Sequence, residues 1–146
     1  MAEFAQAFAD ADVNEAHRSF DIEGAAAIPE QWQVAEAVRV LFRRLQDGDW
    51  SSSVRRAMAK FQIPDVSEYV MRRFFRPEGR VDGAPYRLLP MWRQSVSPLR
   101  QQIAMLAAFV EVTLAKEGHD GMVGMNLLTK VQMPTLPTLY GAMLAG

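Results

Sequence analysis

The residues best suited to chemistry lie near the carboxyl end of the chain, in the short apolar run from Met122 to Leu128. Within it, Gly124 allows a ligand or another backbone to approach closely, and Asn126 supplies an amide that both donates and accepts hydrogen bonds. Lys130 follows the run and adds a positive charge that suits a phosphate. This pattern predicts the end of a strand that contacts a ligand. The alternative is ordinary packing of the glycine, a hydrogen-bonded amide and an exposed lysine.

Other chemical groups are sparse. With His17 and His119 as the only histidines and no cysteine, neither a thiolate site nor a histidine-rich metal site can form. The sequence His119-Asp120-Gly121 is typical of a turn whose side chains hydrogen-bond the local backbone, with a titrating group near a bound anion as the alternative. Lys116 precedes this turn and either faces a phosphate or is simply exposed. No Walker loop, dinucleotide fingerprint or serine, histidine and acid set is present.

Helical periodicity dominates the elements that must position these residues. Apolar side chains recurring at three and four residues, with proline, serine and glycine at the ends, predict helices over residues 2–9, 29–48, 53–61, 66–75 and 97–117. The helix opened by Ser97 and Pro98 should be central, although its β-branched residues near Val110 could weaken it. Residues 79–90 should form a docked, extended loop. A last helix is predicted from about Thr138 to Ala145, with Gly146 as its terminal glycine.

The composition is that of an ordinary globular chain, since 49% of the 146 residues are hydrophobic and 23% are charged. The lack of cysteine suits the reducing cytoplasm. No apolar run approaches the roughly 20 residues that span a bilayer, and no secretory signal is visible at the amino terminus. We therefore expect one compact domain, located in the cytoplasm and without membrane contact.

The net charge of −1 conceals an uneven distribution. Residues 1–38 contain eight acidic residues and a single basic one, Arg18, whereas residues 39–100 contain twelve arginines. We expect the acidic segment to lie near this basic middle, because opposite charges attract. Nucleic-acid binding through the arginines is the alternative. We do not favour it, because lysine is scarce and no nucleic-acid motif is present.

Several stretches carry a resemblance to one known family. They are Leu41-Phe-Arg-Arg-Leu-Gln-Asp-Gly-Asp49, Gly83-Ala-Pro-Tyr86, Phe109-Val-Glu-Val112 and, most densely, the chain from Leu114-Ala-Lys-Glu-Gly-His-Asp-Gly121 to its end. Together they span about the last two-thirds of the sequence. In these stretches the chain resembles the flavin-dependent nitronate monooxygenases, formerly called 2-nitropropane dioxygenases.

The resemblance implies a (β/α)8 TIM barrel that holds FMN at the carboxyl ends of its strands and oxidises alkyl nitronates with molecular oxygen. It assigns to Asn126 the amide that approaches the flavin ring, with Gly124 and Lys130 as further cofactor-binding residues. The family's opening strand, which contains Pro-Ile-Ile-Gln, has no counterpart in residues 1–38. Its phosphate-binding glycine loop and catalytic histidine also have none, so no catalytic residue is assigned.

A complete barrel needs about 250 residues, so we expect only its first part, a βα unit with a helical insertion. The predicted class is mainly α with a few short strands. Residues 1–38 would form an acidic segment without a family match, and residues 39–146 a partial barrel-like region. The expected function is that of an FMN-dependent nitronate monooxygenase acting on a small nitronate, or of a truncated relative. The alternative is a non-catalytic helical interaction module that self-associates into a homo-oligomer.

Overall fold

The computed structural model describes residues 33–90, 95–125, 127 and 132–146. These residues form five helices, α1 Gln33–Gln46, α2 Ser53–Met58, α3 Pro64–Phe74, α4 Pro98–Ala115 and α5 Thr135–Leu144. The mainly α class is therefore confirmed. The helix predicted over residues 2–9 and the acidic segment up to residue 32 lie outside the described residues.

The predicted strand from Met122 to Leu128 is not formed in its described part, because residues 122–125 and 127 are coil. A strand is stable only when a neighbouring extended segment pairs with its peptide groups. None of the described residues forms such a neighbour. The prediction of a few short strands is thus wrong for the part of the chain that the structure describes.

α4 lies at the centre and contacts each of the other four described helices. Its buried side chains occupy every side of the helix, as expected for a helix that is apolar all round. The predicted central position is confirmed. The β-branched residues do not break the helix, because burial of Val110 and Val112 outweighs their small loss of helix propensity.

Contacts between aromatic rings join the helices around α4. Phe42 of α1 stacks on Phe74 of α3 with ring centroids 3.8 Å apart. Phe61, which follows α2, packs against Phe109 of α4 at 5.1 Å. All four rings are almost fully buried, and burial of each such side chain contributes about 1.5–3 kcal/mol to stability. These contacts fix the helices that hold α4 in place.

Glycine and proline define most helix ends as predicted. Pro98 begins α4 after Ser97, and Gly118, at a φ of 88°, lies just beyond its end. α5 begins at Thr135, three residues earlier than predicted, because Pro137 fits the first turn, where an amide hydrogen has no partner within the helix. Gly146 follows α5 at a φ of 98°, as predicted.

The sequence predicts serine at the start of α2, and three serines, residues 51–53, stand there, but an aspartate caps the helix. Ser52 occupies the capping position but its side chain makes no capping hydrogen bond. Asp49 takes that role from farther back: its carboxylate accepts hydrogen bonds from the amides of Val54 and Arg55 at 3.2 and 3.0 Å. The negative charge of this carboxylate also interacts favourably with the positive, amino-terminal end of the helix dipole.

The loop of residues 79–90 is docked, as predicted, through one buried amide. Gln46 of α1 donates from Nε2 to the carbonyl oxygen of Arg87 at 2.9 Å and accepts from the Arg87 amide at 2.8 Å. The Tyr86 hydroxyl adds a hydrogen bond to the carboxylate of Asp47 at 2.9 Å. The loop is therefore held against the end of α1 by paired polar groups.

Candidate functional site

α4 and α5 form a tightly packed helix pair that frames the predicted ligand-contacting segment. Their contact is the most extensive between any two described helices. Gly141 of α5 is buried against the backbone of Met105 in α4, so the two helices approach without an intervening side chain. The hydroxyl of Thr138, also buried, donates to the carbonyl oxygen of Pro134 at 2.6 Å. The packing of α5 on α4 fixes both ends of the connection that spans residues 116–134.

Of the three predicted cofactor-binding residues, the structure describes Gly124. It is half-buried in coil between Val123 and Met125, which are also half-buried. Asn126 and Lys130 lie outside the described residues.

The peptide groups of residues 122–125 make no hydrogen bond to any other residue in the described part of the chain. Half-buried peptide groups normally find a partner. These peptide groups can therefore donate to, or accept from, a bound molecule.

His119 forms the local turn that was favoured from the sequence. Its Nε2 lies 2.6 Å from the carbonyl oxygen of Ala115, and its Nδ1 lies 3.0 Å from the amide nitrogen of Gly121. A carbonyl only accepts and an amide hydrogen only donates, so Nε2 carries the proton and Nδ1 is bare. His119 is thus engaged at both ring nitrogens as a neutral side chain, and it bridges the end of α4 to the start of the connecting segment.

Lys116 does not point to Gly124. Its Nζ donates to the carbonyl oxygen of Gly146, beyond the end of α5. It borders a cavity of about 480 Å³, which is also lined by Lys60, Phe109, Thr113, Glu117, Leu144 and Ala145. Glu117 is paired with Arg56 at 2.7 Å. Gly124, the one described residue of the predicted site, does not line this cavity.

α5 presents a second apolar face that was not recognised in the sequence. Leu136, Tyr140 and Met143 are 76%, 53% and 74% exposed, and Leu139 beside them is also exposed. Their spacing of three and four residues places them on one side of the helix, opposite the side that packs on α4. The same spacing is visible in the sequence and could have revealed this face. A helix that is apolar on both sides belongs in an interior, so this face is suited to contact another apolar surface.

The described residues contain no group of three or more histidine, cysteine, aspartate or glutamate side chains placed to hold a metal ion. No helix in the described part of the chain combines the length and apolar character that crossing a bilayer requires. Comparison of the chain with protein-family models, with curated proteins and with solved structures finds no match.

Proposed function

We propose that this chain acts as an FMN-dependent oxidoreductase of the nitronate monooxygenase type. The connection between α4 and α5 would be the segment that contacts the flavin. FMN, when bound, would supply the redox chemistry with oxygen, and the protein would bind and orient it. In this proposal the Asn126 amide approaches the flavin ring, and Lys130 faces a phosphate or a ring carbonyl. The protein would act on a small alkyl nitronate in the cytoplasm.

One structural observation carries the proposal: the peptide groups of residues 122–125, of which residues 123–125 are half-buried, are unpaired among the described residues and belong to the connection between two firmly packed helices. A flavin ring has carbonyl oxygens that accept hydrogen bonds and flat faces that pack on apolar side chains. The described residues fit both needs, because free amides lie beside Met122, which is 77% exposed, and the half-buried Val123. Binding residues on a loop held by a rigid scaffold are a common arrangement.

Titration of FMN into the purified full-length chain tests the proposal. We expect saturable quenching of flavin fluorescence and a shift of the flavin absorbance bands. Asn126→Ala should weaken binding by about tenfold, because one hydrogen bond to a buried ligand contributes about 1.4 kcal/mol. The matched control is Asn14→Ala, which alters the other asparagine of the chain and should leave the affinity unchanged. If the folded chain does not bind FMN, the proposal is refuted.

The exposed apolar face of α5 favours a second candidate function, that of a non-catalytic helical interaction module that self-associates. Leu136, Leu139, Tyr140 and Met143 form an uncharged patch, so two copies can bring it together without repulsion between like charges. Sedimentation measurements distinguish the two, because only the second candidate requires association of the chain with itself.

A further inference from the structure

Five arginines gather where the carboxyl ends of α1 and α3 meet the loop that follows α3. We call this the arginine surface; it consists of Arg43, Arg73, Arg76, Arg80 and Arg87. The guanidinium groups of Arg43 and Arg80 lie over the ring of Tyr86, at 5.2 and 4.2 Å from its centroid.

Hydrogen bonds to backbone carbonyl oxygens hold the remaining arginines close to the same ring. Arg87 follows Tyr86 directly, and its side chain donates to the carbonyl oxygen of Arg73 at 3.3 Å. The amide of Arg76 donates to the carbonyl oxygen of Leu45 at 3.1 Å, which places it beside the end of α1. Arg73, Arg76 and Arg87 are exposed. The arginine surface is thus anchored at Tyr86, and three of its arginines are accessible to solvent.

Positive charge on this surface is only partly compensated. Asp47 lies 3.5 Å from the Nε of Arg80 and accepts a hydrogen bond from Tyr86. The neighbouring acids Glu78 and Asp82 form no ion pair with the arginine surface in the described part of the chain. Five arginines therefore face three carboxylates. The carboxyl ends of α1 and α3 each act as roughly half a negative charge and contact this surface through the carbonyl oxygens of Leu45 and Arg73. An excess of about one positive charge remains.

We propose that the arginine surface binds the acidic amino-terminal segment of the same chain, residues 1–32. This segment carries seven carboxylates against Arg18 alone and has no lysine. Guanidinium groups bind carboxylates through paired hydrogen bonds, so an acidic peptide is the partner that this surface suits best. The inference concerns a surface separate from the proposed flavin site.

The covalent connection makes this partner available. The segment leads into α1 at Gln33, and the ten residues from there to Arg43 rise by about 15 Å. A stretch of 32 residues can span up to about 100 Å when extended, so its length does not limit contact. Attachment to the same chain also gives an effective concentration in the millimolar range. An individually weak set of exposed ion pairs can therefore form intramolecularly.

The lack of native cysteine allows two fluorophores to be attached at chosen positions. Ala11→Cys lies between two aspartates, and Val81→Cys replaces a side chain that is 73% exposed beside the arginine surface. We expect efficient energy transfer between the labels at low salt. Raising the salt from about 0.1 M to about 1 M shortens the Debye length from about 10 to about 3 Å and should lower the transfer.

Substitution of the arginines provides the decisive comparison. Arg76→Gln with Arg87→Gln should lower energy transfer at low salt. The control, Lys60→Gln with Arg72→Gln, removes the same charge from exposed positions outside the arginine surface and should not. Charge exchange between Arg76 and Arg87, changed to Glu, and Asp10 and Asp12, changed to Lys, should restore the transfer.

If the energy transfer changes neither with salt nor with the substitutions at Arg76 and Arg87, the proposal is overturned. Circular dichroism checks that each variant keeps its helices. Binding of a short DNA oligonucleotide by Arg76 and Arg87, with no effect of these arginines on the label distance, would also overturn it and assign the surface to nucleic acid.

Discussion

Gly141 of α5 lies directly on the backbone of Met105 in α4. A β-carbon at position 141 would lie 2.6 Å from the Cα of Met105 and closer still to its carbonyl oxygen. Atoms of a helix backbone cannot move aside as the end of a flexible side chain can. The glycine therefore sets the distance between the two helices that frame the candidate site.

Gly141→Ala should lower the free energy of unfolding by about 3 kcal/mol, because the helices must separate to admit one methyl group. The sign is informative, since the same change within an isolated helix stabilises it by about 1 kcal/mol. Urea denaturation measures the effect. Gly118→Ala, with open space around it but a positive φ, is the control and should cost only about 1 kcal/mol. A more stable Gly141→Ala protein would show that α4 and α5 do not approach this closely.

Leu136→Glu combined with Met143→Glu should reduce self-association if the second candidate function is correct. Negative charges at these exposed positions would repel each other across an interface between two copies. Sedimentation velocity at increasing protein concentration measures the change. Val81→Glu places a charge at a similarly exposed apolar position in the loop and should leave association unaltered. A wild-type chain that is monomeric throughout would contradict the interaction-module function.

Asp49→Ala should destabilise the protein by about 1–2 kcal/mol through loss of the cap of α2. The side chain of Asp49 is 2% exposed and also lies 3.2 Å from the Nε of Arg55. Asp49→Asn should cost less, because an amide oxygen can still accept a hydrogen bond and asparagine tolerates the φ of 42° at this position. Thermal and urea denaturation measure both changes. The control is Asp65→Asn in the exposed first turn of α3. Equal effects at the two sites would rule out the capping role.

Gln46→Glu should destabilise the docked loop although it changes the side chain by a single atom. Gln46 is 1% exposed, and its Nε2 donates to the carbonyl oxygens of both Phe42 and Arg87 at 2.9 Å. A carboxylate oxygen cannot donate a hydrogen bond. The carbonyl oxygens of Phe42 and Arg87 would therefore face a third acceptor oxygen with no hydrogen between them. We expect a loss of about 2 kcal/mol and faster hydrogen exchange at the Arg87 amide. Gln101→Glu on the exposed side of α4 is the control, and equal losses at both positions would contradict this account.

Helix positions followed well from the sequence because helix formation depends on residues close together in the chain. The apolar spacing around Leu41 and Leu45 predicted α1, and Pro98 and Gly118 marked the limits of α4. The turn at His119 was also predicted, since its hydrogen bonds reach only two and four residues away. Gly124, Asn126 and Lys130 remain a prediction, supported in the structure by the unpaired peptide groups near Gly124.

Tertiary structure decided what local rules could not. Whether the described residues 122–125 form a strand depends on a pairing neighbour, and whether Asp49 or a serine caps α2 depends on how the preceding turn folds. The need for glycine at position 141 became visible only when α5 was placed on Met105. Sequence alone thus determined which segments are helical, because that is settled within a few turns of the chain. The fold decided which side chains cap, dock and remain exposed, because those contacts join residues that are distant in sequence.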